Sequence, residues 1–186
     1  TGQYDRALAE IKRAQELDPL SPAISANVGM IYMIKGDAGA ALAQFNRIIE
    51  LNPNSWVGHH WLGVAYLRFG RKQEATAALE KSVELNRSLV TLSPLGYAYA
   101  VSGREKEARA ILDELRELYA KKQATAYHIA GVYTGLGEHE QAFEWLEKAF
   151  QDRLSLLPII RWHPQFEPLR ADPRFKDLLR RMNLPE

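Results

Sequence analysis

Leu62-Gly63-Val64-Ala65-Tyr66, then Gly70, then Ala75 and Leu79, is the stretch that decides the fold. The same set returns as Leu95-Gly96-Tyr97-Ala98-Tyr99, Gly103, Ala108 and Leu112. Working outward, glycines stand at Gly2, Gly36, Gly70, Gly103 and Gly137, at intervals of 34, 34, 33 and 34 residues. Five residues after each comes an alanine: Ala7, Ala41, Ala75, Ala108 and Ala142. Four residues before the last four stands a tyrosine: Tyr32, Tyr66, Tyr99 and Tyr133. Such self-similarity is the mark of a repeat architecture.

Each recurrent residue has a physical use. Glycine between two helical patterns can close the first helix in a left-handed conformation. The small residue three places before each tyrosine (Gly29, Gly63, Gly96, Ala130) and the alanine after the turn suit a close crossing of two helix backbones. Tyrosine is expected to fill the space between them. Ile11, Phe45, Leu79, Leu112 and Leu146 carry the apolar stripe on by one turn. Pro19 and Pro53 stop the second helix of their repeats. Ser93-Pro94 reads as an N-cap and first helical residue, which predicts a helix starting late, near Ser93.

This pattern resembles the tetratricopeptide repeat, a helix–turn–helix unit, over roughly residues 1–152. The resemblance implies an all-α, right-handed superhelical solenoid of antiparallel helix pairs. The family's tryptophan three places before the Leu-Gly pair is replaced by Ser25, His59, Leu92 and Ala126. Residues 1–153 then hold about four full repeats plus an N-terminal half repeat, because Gly2 already reads as an inter-helix turn. That register predicts that the chain is the C-terminal part of a larger protein. Residues 154–186 leave the register and read as capping helices: Asp172-Pro173 begins one in which Phe175, Leu178, Leu179 and Met182 share a face, with Asn183 as its stop. The run Phe166-Glu167-Pro168-Leu169-Arg170 with Asp172-Pro173-Arg174-Phe175 resembles the ending of bacterial repeat proteins whose upstream part is a DNA-binding, kinase or cyclase domain. A regulatory or docking role is what that resemblance implies.

Composition excludes several classes of function. Lys plus Arg total 24 against 23 Asp plus Glu, a net charge of +1, so no basic excess points to nucleic acid. With no cysteine there is no disulfide, thiolate metal site or cysteine nucleophile. Lack of cysteine fits a reducing cytoplasm, and an upstream membrane helix would place the repeats in the periplasm. No apolar run reaches the ~18 residues that span a bilayer. His59 and His60 are adjacent and diverge on a helix, and His139-Glu140 has no second histidine at zinc-protease spacing, so no metal site is expected. Nothing in the chain points to a cofactor or to catalytic machinery.

The expected function is therefore binding of a protein or peptide, with self-association into a homo-oligomer as the alternative. Stacked repeats curve, and the first helix of each lines the concave wall. The predicted lining is Asn27, Met30, Met33, Val57, His60, Val64, Arg68, Tyr97, Val101, Tyr127 and Thr134. Of these, His60, Arg68, Tyr97 and Tyr127 are expected to be the most exposed. Tetratricopeptide-repeat proteins that grip acidic chaperone tails use a lysine and, one turn on, an asparagine. Ala26 and Met30, His60 and Val64, Ser93 and Tyr97, and Tyr127 and Gly131 stand at those places, so a carboxylate terminus has no anchor.

Overall fold

In the computed structural model, which describes residues 2–185, the regular structure is helical throughout. The order is α1 (Gly2–Leu17), α2 (Pro22–Lys35), α3 (Ala38–Leu51), α4 (Trp56–Arg68), α5 (Lys72–Leu85), α6 (Leu89–Val101), α7 (Glu105–Ala120), α8 (Ala126–Gly135) and α9 (His139–Gln151). Two 3-10 turns, Leu157–Arg161 and Pro164–Leu169, lead into α10 (Pro173–Arg181). The chain divides into two compact units between Arg87 and Ser88, each built of helix pairs.

The turn between paired helices explains the spacing of glycine and tyrosine. Gly36, Gly70, Gly103 and Gly137 have φ of 82°, 74°, 79° and 76°. This left-handed residue lets the next N–H reach back, so Asp37, Arg71, Arg104 and Glu138 donate to the carbonyls of Tyr32, Tyr66, Tyr99 and Tyr133 at 2.8–3.0 Å. Gly2 does not follow suit; it is the first residue of α1. A Cβ at Gly70 or Gly103 would meet nothing within 4 Å. Gly70→Ala and Gly103→Ala should therefore each cost only the conformational term, about 1 kcal/mol. A drop of a few degrees in melting temperature is the expected reading.

The tyrosines fill less of the core than the sequence suggests. Tyr32, Tyr66 and Tyr99 are half-buried, and a cation covers the open ring. Arg71 lies 4.4 Å from the Tyr66 centroid and Arg104 lies 4.1 Å from that of Tyr99. Each of these arginines also bonds the glutamate three residues on, Glu74 or Glu107, at 2.9 Å. The core belongs to the small-residue crossings. Ala41, Ala75, Ala108 and Ala142 are fully buried, as are Phe45, Leu79 and Leu146, with Leu112 close behind. A Cβ at Gly29 would stand 2.5 Å from the Phe45 ring, and one at Gly63 would stand 2.5 Å from Leu79 Cγ. Ala7, at the same position of α1, is exposed and Ile11 half-buried.

Two expectations are corrected. α6 does not begin at Ser93: it starts at Leu89 and carries Pro94 inside it. Ser88 and Thr91 form a capping box that fixes the earlier start. The carbonyl that Pro94 leaves without a donor is that of Val90, an exposed residue where water can replace the missing bond. The tail also keeps the repeat register in its last helix. α10 starts 34 residues after α9 and runs parallel to it. Arg174 bonds Glu140 at 2.7 Å over the Phe143 ring, and seven residues on Arg181 bonds Glu147 at 2.7 Å over Phe150. The two 3-10 turns stand where a first helix would precede it, since Pro158, Pro164 and Pro168 deny the segment a continuous helix.

Candidate functional site

In the first unit the predicted lining lies on α2 and α4. Asn27 is exposed, and Met30, Val57 and Arg68 are half-buried. Met33, Val64 and His60 are not open: they keep 1%, 0% and 4% of their surface. Both helices are apolar on nearly every side, so their inner positions pack within the protein instead of facing solvent. Around the His60 imidazole stand Trp56, at 6.4 Å, and Trp61, at 5.0 Å, each with its plane steeply inclined. His60 Nδ1 is buried with no hydrogen-bond partner. Burial alone drives its pKa down to about 4, so the ring is neutral at pH 7. Gln15 Nε2 binds the fold at this end, donating to Ser25 Oγ at 3.2 Å and to Gln44 Oε1 at 2.8 Å.

The second unit departs further from expectation. Every residue of α6 from Thr91 to Ala98 is buried, as is every residue of α8 from Ala126 to Thr134. Tyr97 keeps 7% of its surface and Tyr127 5%, so neither is the exposed side chain the sequence suggests. Thr134 is buried too and spends its hydroxyl on the carbonyl of Ala130, at 2.9 Å. Only Val101 of the predicted lining here is half-open.

What covers this face is the chain itself. The turn Pro164–Leu169 packs on α8. Gln165, 1% exposed, donates from Nε2 to both the carbonyl and the Oγ of Ser93, at 3.1 Å each. Ser93 Oγ in turn donates to the His128 carbonyl at 2.9 Å. The Phe166 ring, wholly buried, lies 5.2 Å from that of Tyr127. Burial, with the charge of Glu167 added, raises the Tyr97 phenol to about 12. Burial alone pushes the Tyr127 phenol far above its ordinary value. His128, its Nδ1 2.8 Å from Thr125 Oγ1, is lowered to about 4 by burial. No sequence signal singled out Gln165, although Ser93, Tyr97, Tyr127 and Gly131 were the positions aligned with the family's ligand-gripping pair.

Among the described residues no cluster of three or more His, Asp or Glu could hold a metal ion, and no helix is long and apolar enough to cross a membrane.

Comparison with curated proteins finds no match. Solved structures do match in fold. A thermophilic TPR protein of Thermus thermophilus has a TM-score of 0.66 at 22% identity, covering 87% of this chain and 89% of that one. PilW, a widely conserved type IV pilus biogenesis factor, has a TM-score of 0.62 at 19% identity, covering 98% and 86%. YrrB, described as a TPR protein with an unusual peptide-binding site, has a TM-score of 0.50 at 23% identity, covering 85% and 82%. Four family models described as tetratricopeptide repeat match residues 1–55, 45–77, 89–114 and 123–159. The chain belongs to the tetratricopeptide-repeat proteins.

Proposed function

We propose that this chain is a non-catalytic scaffold that binds a protein or peptide on the faces of its first helices. One observation carries the reading: in the second unit such a face already holds a short 3-10 segment, the chain's own, by a buried side-chain amide and an aromatic ring. On the first unit the proposed lining is Asn27, Met30, Val57 and Arg68, with His60 and Val64 as the floor beneath them. Methionine adapts to the partner's shape, and the half-buried aromatic Trp56 adds area. The tail's likeness to bacterial repeat proteins supports a place as the interaction region of a larger signalling protein, with residues 154–186 closing the repeats.

Panning a random peptide library on the chain tests this. Peptides should be enriched, and Asn27→Lys with Met30→Glu should weaken their binding about tenfold or more with helicity intact. A library that yields no binder, or binders indifferent to both changes, would sink the reading.

Self-association is the second reading, favoured by three exposed leucines of the first unit: Leu17 at 89%, Leu20 at 65% and Leu51 at 49%. If they join copies, light scattering should show a dimer that dissociates on dilution and is lost in Leu17→Ser with Leu51→Ser. A monomer at every concentration removes it.

A further inference from the structure

The segment on the second unit is held as a ligand is held. Pro164 and Pro168 bracket it, and its backbone makes only 3-10 turns. Pro164, Gln165, Phe166 and Leu169 are its buried residues, and Gln165 and Phe166 meet the face in two adjoining places. The first is polar. Ser93 presents its carbonyl and hydroxyl side by side, and the residue of α8 beside them is Gly131, where a Cβ would stand 2.5 Å from Gln165 Nε2 and 3.0 Å from Ser93 Oγ. Any side chain there would fill the space the amide occupies. The second place is the Tyr127 ring, on which Phe166 sits.

A segment whose role was only to cover apolar surface would need no buried amide. Burying one is unfavourable unless its donors are met, and here both accepting atoms belong to one residue of the face. Such a site also discriminates. Glutamate has nearly the shape of glutamine but offers Ser93's carbonyl an acceptor where a donor is required.

We propose that the α6–α8 face is a recognition site for a short, proline-bracketed peptide in 3-10 turns carrying glutamine followed by an aromatic residue, and that residues 163–169 fill it in cis. The proposal rests on the peptide-scaffold reading above and adds the chemistry of the ligand. Because the segment is tethered, it acts at an effective concentration on the order of millimolar, and a free ligand binds only the fraction of molecules in which it has lifted.

The test uses the full chain and a fluorescent synthetic peptide copying residues 162–171 (Trp-His-Pro-Gln-Phe-Glu-Pro-Leu-Arg-Ala). Gln165→Ala with Phe166→Ala weakens the tethered copy. Anisotropy should then show the peptide binding this variant at least about tenfold more tightly than the unaltered chain. A peptide with Glu in place of its Gln should lose about tenfold of that affinity. Should the double variant lose helicity, hydrogen exchange on the unaltered chain replaces it: millimolar peptide should speed exchange of the Gln165 and Phe166 amides. A folded variant that binds no better than the unaltered chain, equal binding of the Gln and Glu peptides, or exchange unmoved by peptide would each overturn the proposal. Library peptides still captured on α2 and α4 would then leave the scaffold reading standing; if those fail too, both fall.

Discussion

Gly63→Val is expected to destabilise the first unit by about 3 kcal/mol, the upper end of what overpacking costs, and to lower its melting temperature by roughly 10 °C or more. The new side chain has nowhere to go. Its Cβ would stand 2.5 Å from Leu79 Cγ and 3.2 Å from the carbonyl oxygen of Ala75, and the second contact is backbone that cannot rotate aside. Leu79 and Ala75 are themselves fully buried. Gly39→Ala is the control. Gly39 lies in α3, and the nearest atom to a Cβ there is Asp37 Oδ1 at 3.8 Å. With no clash, alanine should raise stability by up to about 1 kcal/mol through helix propensity. Thermal unfolding by circular dichroism separates the two, since their signs are opposite. Equal effects would mean that the helices do not nest through small residues.

Acid should begin to weaken both units at a pH above that at which Glu74, Glu107, Glu140 and Asp172 take up protons. His60 and His128 sit near pKa 4 in the fold, against an ordinary value near 6.5, because burial disfavours the charged ring. The unfolded chain takes up these protons first, so stability is whole above pH ~6.5 and falls as pH drops toward ~4. Each histidine can account for up to about 3 kcal/mol of that loss. Glu74 is held below the usual carboxylate range first by a backbone hydrogen bond and then by Arg71, and Glu107, Glu140 and Asp172 are held there first by hydrogen bonds to Arg104, Arg174 and Arg174 respectively. What they contribute is present above pH ~4.5 and is lost below it, so a loss between pH 6.5 and 5 belongs to the histidines. Urea unfolding followed at Trp56 and Trp61 reports the first unit, and at Trp145 and Trp162 the second. His60→Phe should flatten the first unit's dependence over that window and raise its stability at pH 7, since Nδ1 has no partner to lose. An unchanged slope in His60→Phe would refute this account of the acid response.

The pairing of helices was written plainly in the sequence because one spacing serves two needs. The turn glycine must be left-handed, and the carbonyl that closes the turn belongs to the tyrosine four residues earlier, so the two recur together. Ala75 and Ala108 recur because anything larger would part the helices. Other features were hidden for equally physical reasons. Pro94 reads as a helix start, yet the Ser88–Thr91 box secures an earlier one. The register of α10 was masked because Ala171 stands where the turn glycine should be and Lys176 where the alanine should be. The lining was the least legible. α6 and α8 are apolar on all sides, so periodicity cannot say which side meets water. That Tyr97 and Tyr127 are covered depends on a contact across 72 residues, Gln165 to Ser93, which no local pattern announces.

The central claim is that the first-helix faces of this chain hold short peptide segments. Hydrogen–deuterium exchange on the full chain, with and without a library-selected peptide, addresses it most directly. Protection is predicted in residues 22–35 and 56–68, those of α2 and α4. Protection confined to α3 and α5, or found nowhere, would contradict it.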